Sequence, residues 1–226
     1  MKKIIFVFIP FFPSEKKFYD RINIIKKEGF QNIEICFPSS SFLDGEKISK
    51  AFKKAKKNGF NTDYVKKILK FLIKLKFKKV FLVFDSNYII KKKFLKIIKK
   101  KIFSNFFFII PDLDKNDIFY KKNKKRIFLI INSKIMKKYI NKKGLFYVMN
   151  SIKTGKKNKN YMKEIYKKKR KKKSVFLIGF GISKTKTINY FYKLFNYIII
   201  GTRIIKVMNK KKKFIKYIRN VKNKTS

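Results

Sequence analysis

Hydrophobic residues occur along this chain in short runs, separated by lysine-studded stretches with helical spacing. The runs are rich in Ile, Val and Phe, which favours strands of a parallel sheet buried on both faces. Eight strands are predicted: Ile4–Phe11, Asn32–Phe37, Lys79–Phe84, Phe106–Ile110, Arg126–Ile131, Leu145–Met149, Val175–Ile178 and Tyr197–Ile200. Eight βα units in sequence predict an α/β fold, a closed (β/α)8 TIM barrel, with an open doubly wound sheet as the alternative.

The stretches between the strands predict the helices of this barrel. They include Ser14–Glu28, Asp44–Lys57, Asn61–Leu75, Tyr88–Ile102, Ser133–Asn141, Thr185–Phe195 and Arg203–Lys222, with Gly29 and Gly59 where helices commonly end. The charge run Lys167–Lys173 is read as a solvated loop or helix end. Because no linker or repeat interrupts the pattern, residues 1–226 are predicted to form a single domain.

The formal charge of +51, from 63 Lys and Arg against 12 Asp and Glu, would ordinarily indicate nucleic acid or an anionic membrane as partner. Here the lysines are spread along the whole chain, and arginine, the usual reader of base edges, is rare. The excess also extends to Ile, Phe, Asn and Tyr, which A- and T-rich codons encode. Coding composition therefore explains the charge at least as well as a function does, and neither specific nucleic-acid binding nor membrane binding is expected.

Such a charge predicts marginal stability in dilute buffer, because self-repulsion opposes the compact state. Raising sodium chloride from about 0.01 M to about 1 M shortens the screening length from ~30 Å to ~3 Å. We expect the melting temperature, followed by circular dichroism, to rise over this range, by about 2–4 °C for each kcal/mol gained. A melting temperature indifferent to salt would contradict the prediction.

Cysteine and histidine usage limits the available chemistry. Cys36 is the single cysteine and the chain has no histidine, so neither a disulfide nor a metal site is expected. Acid–base chemistry must then rest on carboxylates, Tyr or Lys. Residues 1–12 imitate a signal peptide, but Pro10 and Pro13 and the lack of a small-residue cleavage site favour a buried first strand. With no apolar run of membrane-spanning length, a soluble, cytoplasmic protein is expected.

Scarce acidic residues follow or interrupt the predicted strands. Glu34 lies within the second strand, Asp44 follows it, and Asp85 and Asp112 end the third and fourth. Barrel enzymes place their chemistry at the C-terminal ends of strands. Any one of these acids could simply pair with a lysine. Glu34 is the strongest candidate, because an ionised carboxylate inside an apolar strand is costly unless a function or a partner holds it.

Half of the eight glycines, namely Gly155, Gly179, Gly181 and Gly201, lie in or beside the loops after strands six, seven and eight. The stretches 177–183 and 198–203 each run from strand through glycine into a predicted helix. Backbone N–H groups at such turns can converge on an anion, and barrels bind phosphate at this end. Two consecutive turns of this kind predict a phosphate site.

These pieces together resemble the tryptophan synthase α subunit family, and the resemblance is distributed along the chain. Glu34-Ile35-Cys36-Phe37-Pro38 followed by Leu43-Asp44-Gly45 is similar to the family's second strand and catalytic loop. Further matching pieces are Ala51, Ala55 and Gly59, then Ile110-Pro111-Asp112-Leu113, Tyr147, Thr154-Gly155, Gly179-Phe180-Gly181-Ile182-Ser183, Gly201-Thr202 and Ile204-Ile205-Lys206.

The resemblance implies retro-aldol cleavage of indole-3-glycerol phosphate to indole and glyceraldehyde 3-phosphate, without a metal or other cofactor. It implies that Glu34 is the general acid–base group and that Asp44 accepts a hydrogen bond from the indole N–H. It further implies phosphate binding by Gly155, Gly181, Gly201 and Thr202, an indole pocket lined by Phe11, Tyr147 and Phe180, and loop closure involving Thr154. The implied partner is a tryptophan synthase β subunit in an α2β2 assembly.

The chain departs from the family pattern mainly in its loops. The Pro38–Asp44 stretch is about one residue shorter, and Ser39-Ser40-Ser41 replaces a Phe-Ser-Asp sequence. The loop after the first strand and the loop around 151–155 are also shortened, and the initial helix is missing. These losses concern loop closure and communication with the β subunit more than the catalytic pair.

Three other functions are compatible with parts of this pattern. A decayed subunit that only activates the β subunit would not need both Glu34 and Asp44. Another phosphate-binding barrel enzyme, such as a sugar-phosphate isomerase, would share the glycine turns but not the Glu34 to Pro38 and Leu43 to Gly45 pieces. A basic nucleic-acid protein would lose RNA affinity steeply with salt and lack lyase activity.

Overall fold

Eight parallel strands form the centre of the molecule in a computed structural model that describes residues 3–39, 46–86, 104–114, 116–132, 143–149, 174–179, 182 and 185–225. The strands are β1 (Ile4–Phe8), β2 (Asn32–Cys36), β3 (Lys79–Val83), β4 (Phe106–Ile109), β5 (Ile127–Asn132), β6 (Leu145–Met149), β7 (Val175–Gly179) and β8 (Tyr197–Ile200). All eight predicted strands are confirmed, with boundaries shifted by a few residues.

The sheet closes into a barrel in sequence order, with β1 paired to both β2 and β8. Every pairing is parallel, as expected for strands joined by crossover connections. The predicted (β/α)8 barrel is therefore confirmed and the open sheet is wrong. Most strand residues are buried, which accounts for the continuous apolar runs in the sequence.

Seven helices belong to the described part of the chain. They are α1 (Glu15–Lys27), α2 (Glu46–Lys57), α3 (Tyr64–Lys74), α4 (Ile118–Asn123), α5 (Thr185–Leu194), α6 (Thr202–Val207) and α7 (Lys211–Asn223). The predicted helices Tyr88–Ile102 and Ser133–Asn141 and the charge run Lys167–Lys173 lie outside the described residues.

Two glycines end their helices as predicted. Gly29 and Gly59 have φ angles of 87° and 88°, in the left-handed region that glycine adopts without a Cβ clash. After α1, the N–H of Phe30 donates to the carbonyl of Ile25 and the N–H of Gly29 to that of Lys26. This pair of bonds is the Schellman arrangement, and α2 ends in the same way.

The C-terminal helix prediction is wrong in one respect: Arg203–Lys222 is two helices, α6 and α7, rather than one. Lys210 is extended between them, with φ −104° and ψ 105°. The buried guanidinium of Arg21 on α1 donates from Nε to the carbonyl oxygen of Met208 at 3.0 Å. This tertiary bond satisfies a carbonyl at the break, so the chain can turn there.

The first strand also ends earlier than predicted, at Phe8 rather than Phe11. The N–H of Phe12 donates to the carbonyl of Ile9 at 3.1 Å, which makes a turn, and Phe11 adopts a positive φ of 61°. A bulky residue in this region is uncommon and needs support from its surroundings. Asn58 gives that support, because its amide donates to the carbonyls of Phe11 and Pro13.

Aromatic rings fill part of the barrel interior. The Phe81 ring is fully buried, with centroids 5.5 Å from Phe107, 5.6 Å from Phe128 and 5.7 Å from Tyr197. The ammonium of Lys79, at the start of β3, lies 5.1 Å from the Phe107 centroid and 4.8 Å from that of Tyr197. At the level of Phe81, the barrel interior is therefore a packed core. The Phe81 side chain points inward from β3.

Candidate active site

Glu34 is the third residue of β2 and points into the barrel. Its register partner on β3 is Phe81 and its partner on β1 is Val7. Residues level with one another on neighbouring strands face the same side, so Glu34 shares the inward face of Phe81. The side chain is only 4% exposed. A carboxyl group so placed is shielded from bulk water.

The first strand brings Glu34 next to the predicted phosphate end of the site. Val7 is level with Glu34 on β2, and Phe6, one residue earlier, is level with Ile200 on β8, the residue before Gly201. A Cβ added at Gly201 would lie 3.2 Å from Cγ2 of Val7. Gly201 thus allows a close approach to β1, and half-buried Thr202 begins α6 directly after it.

A second close approach involves Tyr147 on β6 and Gly179 at the end of β7. A Cβ added at Gly179 would lie 2.3 Å from the Tyr147 hydroxyl oxygen and 2.9 Å from two of its ring carbons. The Tyr147 side chain is buried and lies across the space that a larger residue would fill. The predicted pocket residue Tyr147 therefore occupies a fixed place at the C-terminal end of the barrel.

Phe11 packs against the helix layer. Its ring centroid lies 5.7 Å from that of Phe60 and 4.6 Å from that of Tyr64, both edge-on. These contacts and the positive φ hold the ring in a buried position. They account for its burial by packing, and its role in an indole pocket stays a prediction.

Two carboxylates at neighbouring strand ends accept hydrogen bonds from serine. Asp85, which follows β3 and is 4% exposed, accepts from the hydroxyl of Ser39 beyond β2. Asp112, beyond β4, accepts from the backbone N–H of Ser86 at 2.9 Å and from its hydroxyl at 2.7 Å. The sequence placed these acids at strand ends but did not predict their serine partners.

Positive charge gathers beside the start of α6. The ammonium of Lys47 on α2 lowers the pKa of Lys206, and Arg203 lowers it further by charge repulsion. Such mutual repulsion indicates cations that lie close together. Arg203 and Lys206 follow Gly201 in the sequence, on the helix that begins directly after it.

Five of the predicted site residues lie outside the described part of the chain: Asp44, Thr154, Gly155, Phe180 and Gly181. Of the five that are described, Phe11 follows β1 and packs against Phe60 and Tyr64, and the other four follow one arc of the barrel. In strand order they are Tyr147 on β6, Gly201 and Thr202 after β8, and Glu34 on β2, with Gly179 and Val7 on the strands between them.

Val7 is the residue that sequence reasoning missed. It looks like one more apolar residue of the first strand, and only its register with Glu34 and its nearness to Gly201 show that it joins the two halves of the site. The signal that could have found Val7 is the alternation of inward-facing and outward-facing residues along β1, combined with the closing of the barrel between β1 and β8.

Neither metal nor membrane features appear among the residues that the structure describes. These residues contain no group of three or more His, Cys, Asp and Glu side chains that could hold a metal ion. None of the helices given above has the length and apolarity needed to cross a membrane.

A closed parallel barrel with a buried carboxylate inside and glycines where β7 and β8 end defines a (β/α)8-barrel enzyme that can work by carboxylate acid–base chemistry. The tryptophan synthase alpha chain family matches residues 2–225, and the chain belongs to this family. Its reaction is that of a carbon–carbon lyase acting on indole-3-glycerol phosphate in tryptophan biosynthesis. No curated protein sequence matches the chain significantly.

Solved structures agree with the fold. Tryptophan synthase from M. tuberculosis, in an open form, superposes with a TM-score of 0.79 at 10% identity, covering 99% of this chain and 92% of that one. The tryptophan synthase A-subunit of Pyrococcus furiosus gives 0.75 at 16% identity, with 98% of each chain covered. An Aquifex aeolicus protein gives 0.77 at 19% identity, with 99% and 92% covered.

Proposed function

We propose that this chain cleaves indole-3-glycerol phosphate with Glu34 as the general acid–base group and Asp44 as the acceptor for the indole N–H. The observation that supports the proposal best is the burial of Glu34 inside the barrel of a chain that belongs to this family. Residues 1–226 act as one domain, and no cofactor takes part.

Glu34 would move the protons that the bond cleavage requires. Protonation of the indole ring carbon that bears the glycerol chain makes that ring an electron sink, and removal of a hydroxyl proton lets the carbon–carbon bond break to give an aldehyde. A single carboxyl group can give the first proton and take the second if its two forms are close in free energy. Burial on an apolar strand moves Glu34 towards that condition.

Asp44 would stabilise the positive charge that develops on the protonated ring. A carboxylate that accepts from the indole N–H forms a charge-assisted hydrogen bond, which strengthens as the ring nitrogen becomes more acidic. This interaction is stronger in the transition state than in the bound substrate. It therefore lowers the activation barrier of the cleavage reaction and not only the dissociation constant of the substrate.

The phosphate would bind at Gly155, Gly181, Gly201 and Thr202. Support comes from the close approach of the Gly201 backbone to Val7, which the lack of a side chain allows, and from the cations at Lys47, Arg203 and Lys206. The indole ring would lie among Phe11, Tyr147 and Phe180, with Thr154 taking part in loop closure. The close fit of Tyr147 over Gly179 supports a fixed wall for this pocket.

The product indole would pass to a tryptophan synthase β subunit in an α2β2 assembly in the cytoplasm. Support for this partner is the family itself, whose members work with the β subunit. Neither a nucleic acid nor a membrane is needed for this function.

Indole release from indole-3-glycerol phosphate, with and without the β subunit of the same source, tests the proposal. We expect release by the intact chain and a fall in kcat of about tenfold for Asp44→Asn. The amide keeps an acceptor oxygen but loses the charge, and a charge-assisted hydrogen bond is roughly twice as strong as a neutral one.

Asp63→Asn is the matched control, because Asp63 is exposed at the start of α3 and makes no capping hydrogen bond with its side chain. It should leave kcat unchanged. An intact chain that activates the β subunit but releases no indole under any condition would contradict the proposal and leave a binding partner without catalysis.

A further inference from the structure

Arg21, on α1, is a cationic side chain that lies buried in the folded chain, with only 3% of the residue exposed. Burying a charge is costly unless specific partners hold it. The guanidinium has three: Asp20 pairs with Nη1, the carbonyl oxygen of Met208 accepts from Nε at 3.0 Å, and the centroid of the Phe214 ring lies 5.5 Å from Cζ. Two of these partners belong to the C-terminal part of the chain, so Arg21 ties α1 to that part.

A second bond from α1 reaches the same place. The ammonium of Lys17 donates to Oδ1 of Asn209 at 2.6 Å. Lys17 and Arg21 are four residues apart on α1, so they lie on the same face of that helix. Met208 and Asn209 are the two residues that directly follow α6. One face of α1 therefore holds the chain where α6 ends.

A continuous set of main-chain hydrogen bonds links this end of α6 to Gly201. The N–H of Met208 donates to the carbonyl of Ile204 at 2.9 Å, and the N–H of Ile205 donates to that of Gly201 at 3.2 Å. The helix has six residues, which is about 9 Å of length. A short hydrogen-bonded helix moves as a unit, so a shift at Met208 also moves Gly201 and Thr202.

Apolar packing alone does not set the position of α6 so closely. Ile204 and Ile205 are buried and press the helix against the barrel, but the hydrophobic effect has no preferred direction. A hydrogen bond has a defined length and angle. At the other end, Gly201 already lies so near Val7 that an added Cβ would be 3.2 Å from its Cγ2. The hydrogen bond from Arg21 therefore fixes the end of α6 that faces away from this contact.

We infer that Arg21 is a positioning residue for the phosphate group of the substrate: by holding the carbonyl of Met208, it fixes α6 and with it the backbone N–H groups of Gly201 and Thr202. The inference rests on the proposed function, in which these two residues bind phosphate. Arg21 does not touch the phosphate in this account, because its guanidinium lies at the opposite end of α6.

The test measures kcat and KM for indole release, together with the inhibition constant of inorganic phosphate, for the full chain and for Arg21→Met. We expect KM and the inhibition constant to rise about tenfold, because displacement of binding groups by a distant change has effects of this order or larger. The change in kcat should stay within about threefold. The phosphate is remote from the bond that breaks, so its contacts hold the bound substrate and the transition state alike.

Arg219→Met is the matched control. Arg219, on α7, also ties the C-terminal helices to α1, through a bond of 2.8 Å from Nε to Glu28. Glu28 follows the end of α1, whereas Lys17 and Arg21 lie in its first half. The control should therefore leave KM and the phosphate inhibition constant unchanged. Urea unfolding of both variants separates a loss of stability, which either can show, from a loss of phosphate affinity.

Gly201→Ala approaches the same helix from its other end, since the new methyl group would press on Val7. It should also raise KM and the phosphate inhibition constant. The double variant with Arg21→Met should lose less than the product of the two single losses, because both displace α6. If Arg21→Met does not fold, Lys17→Met tests the same tie through its exposed bond and should raise both constants about twofold.

The outcomes separate the two levels of the proposal. A folded Arg21→Met variant with wild-type constants, an Arg219→Met variant that raises them equally, or fully multiplicative losses with Gly201→Ala would overturn the positioning role while the lyase proposal stands. A wild-type chain that releases no indole would overturn the proposed function and the positioning role together. Raised KM and phosphate inhibition constant with kcat kept, in Arg21→Met but not in Arg219→Met, support the inference.

Discussion

Glu34→Gln is expected to lower kcat for indole release by about a thousandfold. The substitution keeps the size of the side chain but removes the group that exchanges protons, and general acid–base catalysis contributes about 10²–10⁴ in rate. Because Glu34 is buried on an inward-facing strand position, no water-exposed carboxylate can take its place easily. The measurement is indole release at saturating substrate, with the β subunit present.

Glu46→Gln is the control for this prediction, because Glu46 is an exposed residue at the start of α2 that pairs only with Lys50 among the described residues. It should leave kcat unchanged, and both variants should melt within a few degrees of the wild type. A Glu34→Gln variant with more than a tenth of the wild-type kcat would show that another group moves the protons.

Gly179→Ala is expected to damage both stability and activity. The new methyl group would lie 2.3 Å from the Tyr147 hydroxyl oxygen, and the buried Tyr147 side chain has little room to retreat. Overpacking of this kind costs about 1–3 kcal/mol. If Tyr147 is a wall of the indole pocket, its displacement should also lower kcat/KM by about a hundredfold.

Gly144→Ala is matched to this variant, because its methyl group would meet the Phe146 ring at 2.8 Å, just before β6 begins. It should lose stability but keep kcat/KM, since it lies at the opposite end of the barrel from Tyr147 and Gly179. Adding Tyr147→Phe to Gly179→Ala removes the nearest atom and should restore part of the melting temperature. Equal kcat/KM in wild type and Gly179→Ala would remove Tyr147 from the proposed pocket.

The strands could be predicted from the sequence because burial on both faces leaves a strong local signal. Each of the eight runs of Ile, Val and Phe that predicted a strand contains a strand in the structure. Gly29 and Gly59 end helices because glycine adopts a positive φ without a Cβ clash. Glu34 could be singled out in the same way, since a carboxyl group within an apolar run is visible without any tertiary information.

The features that escaped prediction depend on contacts between distant parts of the chain. At the break between α6 and α7, the carbonyl of Met208 accepts a hydrogen bond from Arg21, which lies 187 residues earlier. The pairing of Ser39 with Asp85 and the place of Val7 between Glu34 and Gly201 depend on strand register, which no local pattern reveals. Propensity cannot supply such information, because it describes only neighbours along the chain.

The closing of the barrel between β1 and β8 determines when this protein can fold during its synthesis. Ile4 has no partner on its β8 side until Ile198 has been made, and Arg219, which pairs with Glu28, comes later still. At about 5–20 residues per second, a ribosome adds roughly 200 residues in about 10–40 s, during which the first strand has an open edge. Open edges invite pairing with other chains, and a high net charge of one sign opposes that association. The net charge of +51, which opposes the compact state of the finished barrel, therefore also opposes pairing between two nascent chains at this edge.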